Sequence, residues 1–259
     1  MKKRIFATTL VLWSLSLGLL VGWKQKPRPI QALYVFGDSL SDVGNGFRAT
    51  GGTAPSSPPY FQGRYSNGRV WVEHLASKLT LPPQPSTNFA YGGAMTEGTG
   101  GVPSLRVQVQ SFTEAHASAD PNALYVLLIG ANDYLKGATN PTAPVENISR
   151  AIATLDQLGA RKFLVSNLPD LGQLPATRQS ANASRLSALT RQHNRILARS
   201  LEGLRPQLHP QTQIIRLDTY TLYQEALTRP AKFGLSNVTQ ACLGSQGVCN
   251  NPQQFLFWD

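Results

Sequence analysis

The sequence is poor in cysteine, in charge and in long apolar runs, and each shortage removes a class of protein. Two cysteines among 259 residues cannot staple a disulfide-framework miniprotein. Charged residues are only 15% of the chain while 41% is hydrophobic, so intrinsic disorder is excluded. Only one long apolar run occurs, which removes a polytopic membrane protein. No block of five like charges and no basic–aromatic stripe is present. The formal net charge of +10 therefore outlines no nucleic-acid footprint. Six basic residues (Lys2, Lys3, Arg4, Lys24, Lys26, Arg28) and no acidic one fall within residues 1–29. Without them the chain has 18 basic against 14 acidic side chains, a net +4.

What is present begins with a targeting signal. Lys2-Lys3-Arg4 precedes an uncharged run from Ile5 to Trp23, the layout of a secretory signal peptide. Its 19 residues are also long enough to span a bilayer as one helix. Trp23 stands after Gly22 where lipoprotein processing would need cysteine. The reading is export (secreted or periplasmic), with cleavage or a membrane anchor through residues 5–23 both open. Residues 1–29 are the targeting segment and 30–259 one domain. In an exported chain Cys242 and Cys249, separated by a stretch containing Gly244 and Gly247, read as a local disulfide, with free thiols as the alternative. Two thiols without a nearby histidine make no zinc site.

After Pro29 strand-like and helix-like segments alternate. Ile30–Phe36, Ala123–Ile129, Lys162–Val165 and Gln213–Leu217 are apolar runs without alternation, as in parallel strands buried on both faces. Val70–Leu79, Val145–Leu158 and Ser184–Leu204 carry apolar residues at helical spacing. No internal repeat is visible, and Gly51–Pro59 reads as a long loop. The alternation predicts a three-layer αβα sandwich around a doubly wound, mostly parallel sheet.

In such folds ligands sit at the carboxyl ends of strands. Phe36-Gly37-Asp38-Ser39 follows the first strand and can project a serine hydroxyl, although serine also commonly caps a following helix. Asn88-Phe89-Ala90-Tyr91-Gly92-Gly93-Ala94 offers glycine N–H groups for close backbone approach. Gly130-Ala131-Asn132-Asp133 ends the most apolar strand with an amide that can donate to an oxyanion, or that simply fills a turn.

With FGDSLSDVGN (36–45), YSNGRVWVEHLA (65–76), NFAYGGA (88–94), LIGANDY (128–134), NLPDLGQLP (167–175) and FLFWD (255–259) in order, the chain resembles the GDSL lipases and esterases, also called SGNH hydrolases. The resemblance runs from about Tyr34 to Asp259. It implies carboxylic ester hydrolysis through an acyl-serine, without metal or organic cofactor, on a small ester, lipid or glycan ester; nucleic acid is excluded as a partner by the charge distribution above. By the same resemblance Ser39 is the nucleophile, the oxyanion hole is the Ser39 N–H, the Gly93 N–H (or Gly92) and the Asn132 side chain, and Asp259 orients a catalytic histidine. The family places that histidine three residues after the aspartate and follows it with a helix; the sequence stops at Asp259, which reads as a truncation. His74, His116, His193 and His209 fall outside the family's catalytic segment and read as surface or helix residues. A serine without a base is a weak nucleophile. The expectation is thus an impaired esterase, with a catalytically silent ester- or glycan-binding protein as the alternative.

Overall fold

Four parallel strands, β1 (Leu33–Gly37), β2 (Leu124–Leu128), β3 (Lys162–Ser166) and β4 (Gln213–Leu217), lie side by side in that order. They belong to a computed structural model that describes residues 29–82, 87–98 and 101–259; residues 1–28, with the predicted signal or anchor, lie outside the described residues. Asn88 bridges Val35 in parallel on the free side of β1, and Phe89 N–H and Tyr91 N–H extend that pairing to the carbonyls of Val35 (2.7 Å) and Gly37 (3.2 Å). The segment after β1 therefore lies on one side of it and β2 on the other. That reversal beside β1 is the switch point where doubly wound sheets bind ligands.

The register aligns Val35, Val126, Leu164 and Ile215 across one face, and Phe36, Leu127 and Val165 point to the other. The second set meets α3 (Leu105–Ala115), α5 (Thr142–Leu158) and α6 (Ala183–Leu204) in the main core. Phe112 of α3 is its aromatic hub, with ring centroids of Tyr34, Phe36, Phe89 and Tyr125 all 5.0–5.8 Å away. The first face is covered over β1 and β2 by α2 (Trp71–Lys78), which brings Val72 and Leu75 onto Val35 and Val126. β2 is buried at every position, which explains its unbroken apolar run.

β4 departs from the sequence reading. It was predicted to be buried on both faces, yet only Ile214 is buried, and Ile215 is 52% exposed. β4 is an edge strand, and the described helices leave its outer face open. α5 begins three residues before the predicted Val145, because Pro144 fits the first helical turn. On α6 the buried positions Leu186, Leu189, His193, Leu197 and Leu201 form one stripe.

After α7 (Thr219–Thr228) the chain forms two small sheets. β5 (Asn237–Ala241) pairs with β8 (Phe255–Phe257), and β6 (Leu243–Gly244) with β7 (Gly247–Val248) in a hairpin. Cys242 and Cys249 flank that hairpin and are disulfide-bonded, with Cα atoms 4.9 Å apart. No helix among the described residues is long and apolar enough to cross a membrane.

Candidate active site

Gly37 ends β1 where a side chain has no room, since a Cβ there would lie 2.6 Å from the Leu128 carbonyl oxygen. The buried Gln108 amide on α3 clamps this glycine from the other side. Gly37 N–H donates to Oε1 at 2.9 Å, and Nε2–H donates to the Gly37 carbonyl at 2.9 Å. A tight turn follows, with Leu40 N–H donating to Asp38 Oδ1 and Ser41 N–H to the Asp38 carbonyl. Half-buried Ser39 sits on that turn. It caps no helix, because the next one, α1 (Asn45–Ala49), is entered through Gly44. Its backbone N–H has no acceptor, and its hydroxyl no hydrogen-bonded base, among the described residues.

Asp42, fully buried, organises the neighbouring loops. Oδ1 accepts from Gly44 N–H (2.8 Å) and Asn45 N–H (2.6 Å), and Oδ2 from Gly46 N–H (3.0 Å) and Gly92 N–H (2.8 Å). This separates the two glycines that the sequence left open. Gly92 has spent its N–H on Asp42 and packs under the Tyr65 ring, which a Cβ would strike at 2.1 Å. Gly93, at φ 78°, keeps an N–H without an acceptor among the described residues. Asn132 lies on α4 (Ala131–Leu135), entered through Gly130 at φ 115°. Its Nδ2 donates one hydrogen to the Ala94 carbonyl at 2.9 Å, leaving the second amide hydrogen. Lys136 Nζ, at the end of α4, holds the Gly93 carbonyl at 2.7 Å. Ser39 and Gly93 on their loops and Asn132 on the first turn of α4 thus belong to three segments bonded to one another at the carboxyl edge.

Asp259 joins the same edge through two tyrosines that the motifs did not single out. Its Oδ2 accepts from the Tyr60 hydroxyl at 2.6 Å. The Tyr60 ring lies 6.1 Å from both Tyr65 and Trp258, and Tyr65 packs on Gly92. Burial, and then the Asp259 carboxylate, push the Tyr60 hydroxyl pKa up. Only the position of Tyr65 inside the YSNGRVW segment hinted at this; Tyr60 lies in an aperiodic loop.

Buried carboxyls lie behind the serine turn. Burial raises Asp38 to a pKa of about 7, partly opposed by the Leu40 N–H and reinforced by the nearby Asp133 charge. Burial also raises Asp133, whose oxygens accept from Thr96 N–H (3.0 Å) and Oγ1–H (2.6 Å).

None of the four histidines is bonded to Ser39 or Asp259. His74 is exposed on α2. His116, at the far end of α3, stacks on Phe112 at 4.3 Å, and exposed His209 precedes β4. His193 is the one that is wholly buried, beneath Gly130, where Nδ1 pairs with the Tyr134 hydroxyl at 2.7 Å and Nε2 has no partner among the described residues. Burial lowers its pKa to about 4, so it is neutral at pH 7. Among the described residues no group of three or more His, Cys, Asp or Glu side chains is arranged to hold a metal ion.

A mostly parallel sheet sandwiched by helices, with a serine turn, a glycine loop and an asparagine at its carboxyl edge, defines a doubly wound α/β protein. Residues 33–259 match the family described as GDSL-like Lipase/Acylhydrolase, and the chain belongs to that family, hydrolytic enzymes acting on esters. It is 33% identical over 229 residues to the phosphatidylcholine-sterol acyltransferase of Aeromonas hydrophila, a match covering 83% of this chain and 66% of that protein. It is 28% identical to GDSL esterase/lipase 5 of Arabidopsis thaliana, covering 89% of this chain and 78% of the relative. In fold it is similar to a lipolytic G-D-S-L family protein from Veillonella parvula, with a TM-score of 0.50, 19% identity, and 86% and 91% of the two chains covered. The chain thus spans slightly less than two thirds of the Aeromonas protein.

Proposed function

We propose that the domain is built to cleave carboxylic esters through an acyl-enzyme on Ser39. The Ser39 hydroxyl adds to the ester carbonyl, and the oxygen of that carbonyl gains negative charge. Three donors take it up: the N–H of Ser39, the N–H of Gly93 and the second amide hydrogen of Asn132. The carrying observation is the engagement of Gly92 N–H by Asp42, which leaves Gly93 as the glycine with a hydrogen to give. Collapse of the adduct expels the alcohol, and water then releases the acid.

Both halves need a group that accepts the serine or water proton and returns it to the leaving oxygen. Asp259 is suited to orient an imidazole and is held ready by Tyr60, but none of the four histidines fills that place. We therefore infer that this polypeptide alone turns over slowly. Loss of the base costs on the order of 10⁶ in turnover in a serine protease, with roughly 10³–10⁴ over water retained by the hole and binding. The second reading, a silent protein that binds an ester or glycan, draws on the same lack of a base. Lipids or other small esters are the proposed ligands. Export through residues 1–29, followed by cleavage or retention as a membrane anchor, is the proposed location.

The test is hydrolysis of a short p-nitrophenyl ester by the 259-residue chain and by one extended with a histidine three residues beyond Asp259. A gain of at least about 10³-fold is expected from the extension, abolished by Ser39→Ala. A gain that survives Ser39→Ala would overturn the assignment of the nucleophile.

A further inference from the structure

On the side of β1 that faces the 88–91 segment, a cavity of about 560 Å³ lies between α1, that segment and α3. That size is within the range of small-molecule sites. Among the described residues Arg48 is the one charged residue that lines it, and no carboxylate does. One guanidinium nitrogen of Arg48 donates to Asn45 Oδ1, and the side chain makes no ion pair among the described residues. Half-buried Tyr91 and exposed Ser111 also line the cavity, and their hydroxyls have no hydrogen-bond partner among the described residues.

The rest of the polar lining is already committed. Asn45 Nδ2 donates to the carbonyls of Asn88 (2.8 Å) and Ala90 (2.9 Å), and the Gln108 amide is spent on Gly37. The cavity thus joins a fixed polar wall to an exposed cation without an ion-pair partner, and two hydroxyls without a hydrogen-bond partner, among the described residues. A guanidinium fork and neutral O–H donors match the oxygens of a tetrahedral oxyanion.

We propose that this cavity is a binding site for a phosphate-type oxyanion, either free phosphate or the phosphodiester of a lipid headgroup. Arg48 supplies the charge; the Tyr91 and Ser111 hydroxyls supply neutral hydrogen bonds. Tyr91 immediately precedes the Gly92-Gly93 pair, and Asn45 shares the Asp42 carboxylate with Gly92. A bound phosphate would therefore press on the loop that carries Gly93. In the lipid case the site sets the substrate class and rests on the ester-hydrolase reading; the binding site itself does not.

The experiment titrates the 259-residue chain with inorganic phosphate, and separately with dihexanoyl phosphatidylcholine below its micellar concentration, at constant ionic strength. The readout is the NMR shift of the Tyr91, Gly92 and Gly93 amides and of the Arg48 Nε–H. Saturable shifts are expected with at least one probe, weakened about ten-fold or more by Arg48→Gln, less by Tyr91→Phe, and not at all by Arg150→Gln. Arg48 is exposed, so Arg48→Gln should melt with the parent chain; should it not, Tyr91→Phe carries the comparison. Saturation by phosphate alone identifies a free-anion site, and by the lipid alone a headgroup site. Shifts absent with both probes, or equal in strength in the Arg48→Gln and Tyr91→Phe chains, overturn the proposal. Because binding is read directly, a failure of ester hydrolysis leaves this result unaffected.

Discussion

Replacing Asp42 by asparagine should loosen the loops that hold Ser39 and Gly93 while changing the side-chain volume very little. The carboxylate accepts four backbone N–H groups, two on each oxygen. An asparagine keeps one oxygen and turns an NH₂ group toward the other pair of donors. Two N–H groups then lose their acceptor in a buried setting, at about 1.5 kcal/mol each, or roughly 3 kcal/mol together. For a domain of this size that corresponds to a fall in Tm of roughly 6–12 °C. The assay is thermal unfolding with amide NMR of Gly44, Asn45, Gly46 and Gly92. The Gly46–Gly92 pair or the Gly44–Asn45 pair should lose protection together, according to which way the amide settles. An Asp42→Asn chain that melts within about 1 °C of the parent, with all four amides protected, would refute this account of the loop.

Asp38 should make the protein less stable above neutrality. Its folded pKa of about 7 lies above the unfolded value of 3.8, so stability falls as pH rises from about 4 to about 7 and then levels. The ceiling is roughly 4 kcal/mol, and Asp38→Asn should remove that slope from Tm measured between pH 4.5 and 8. His193, lowered to about 4, acts in the opposite sense, favouring the fold as pH rises from about 4 to 6.5; an Asp38→Asn curve that runs parallel to the parent's between pH 4.5 and 7 would contradict the Asp38 reading. Phe112→Ala should cost about 3–5 kcal/mol in denaturant unfolding, because five rings meet there; a loss below 1 kcal/mol would disprove its place as hub. Alkylation of the native protein without reductant should leave Cys242 and Cys249 unmodified, and modification of both would show the hairpin to be unbridged.

What the sequence made legible follows from where it concentrates unusual residues. Serine, double glycine and asparagine each stand at or near the end of an apolar run, so their meeting at one sheet edge could be foreseen from parallel topology. The choice between Gly92 and Gly93 could not, because it turns on Asp42, 50 residues away in sequence. Gln108 was invisible for a similar reason: its polar side chain is buried on a helix face to clamp Gly37, and helical periodicity marks only the apolar positions. The burial of His193 was legible in principle, since its spacing from Leu189 and Leu197 puts it on the apolar stripe of α6. The exposure of β4 was not. Its apolar run is that of a covered strand, and edge position depends on strand order.

The central claim is the proposal that Ser39 is the nucleophile, and acylation of Ser39 tests it most directly. Deacylation needs the base as much as acylation does, so the 259-residue chain should acquire an acyl group slowly from a p-nitrophenyl ester and then retain it. Peptide mapping by mass spectrometry after prolonged incubation is predicted to place the acyl group on the peptide containing Ser39, and to find none there in Ser39→Ala. Acylation at another residue would contradict it, and rapid Ser39-dependent turnover by the 259-residue chain alone would contradict the inference of slow turnover.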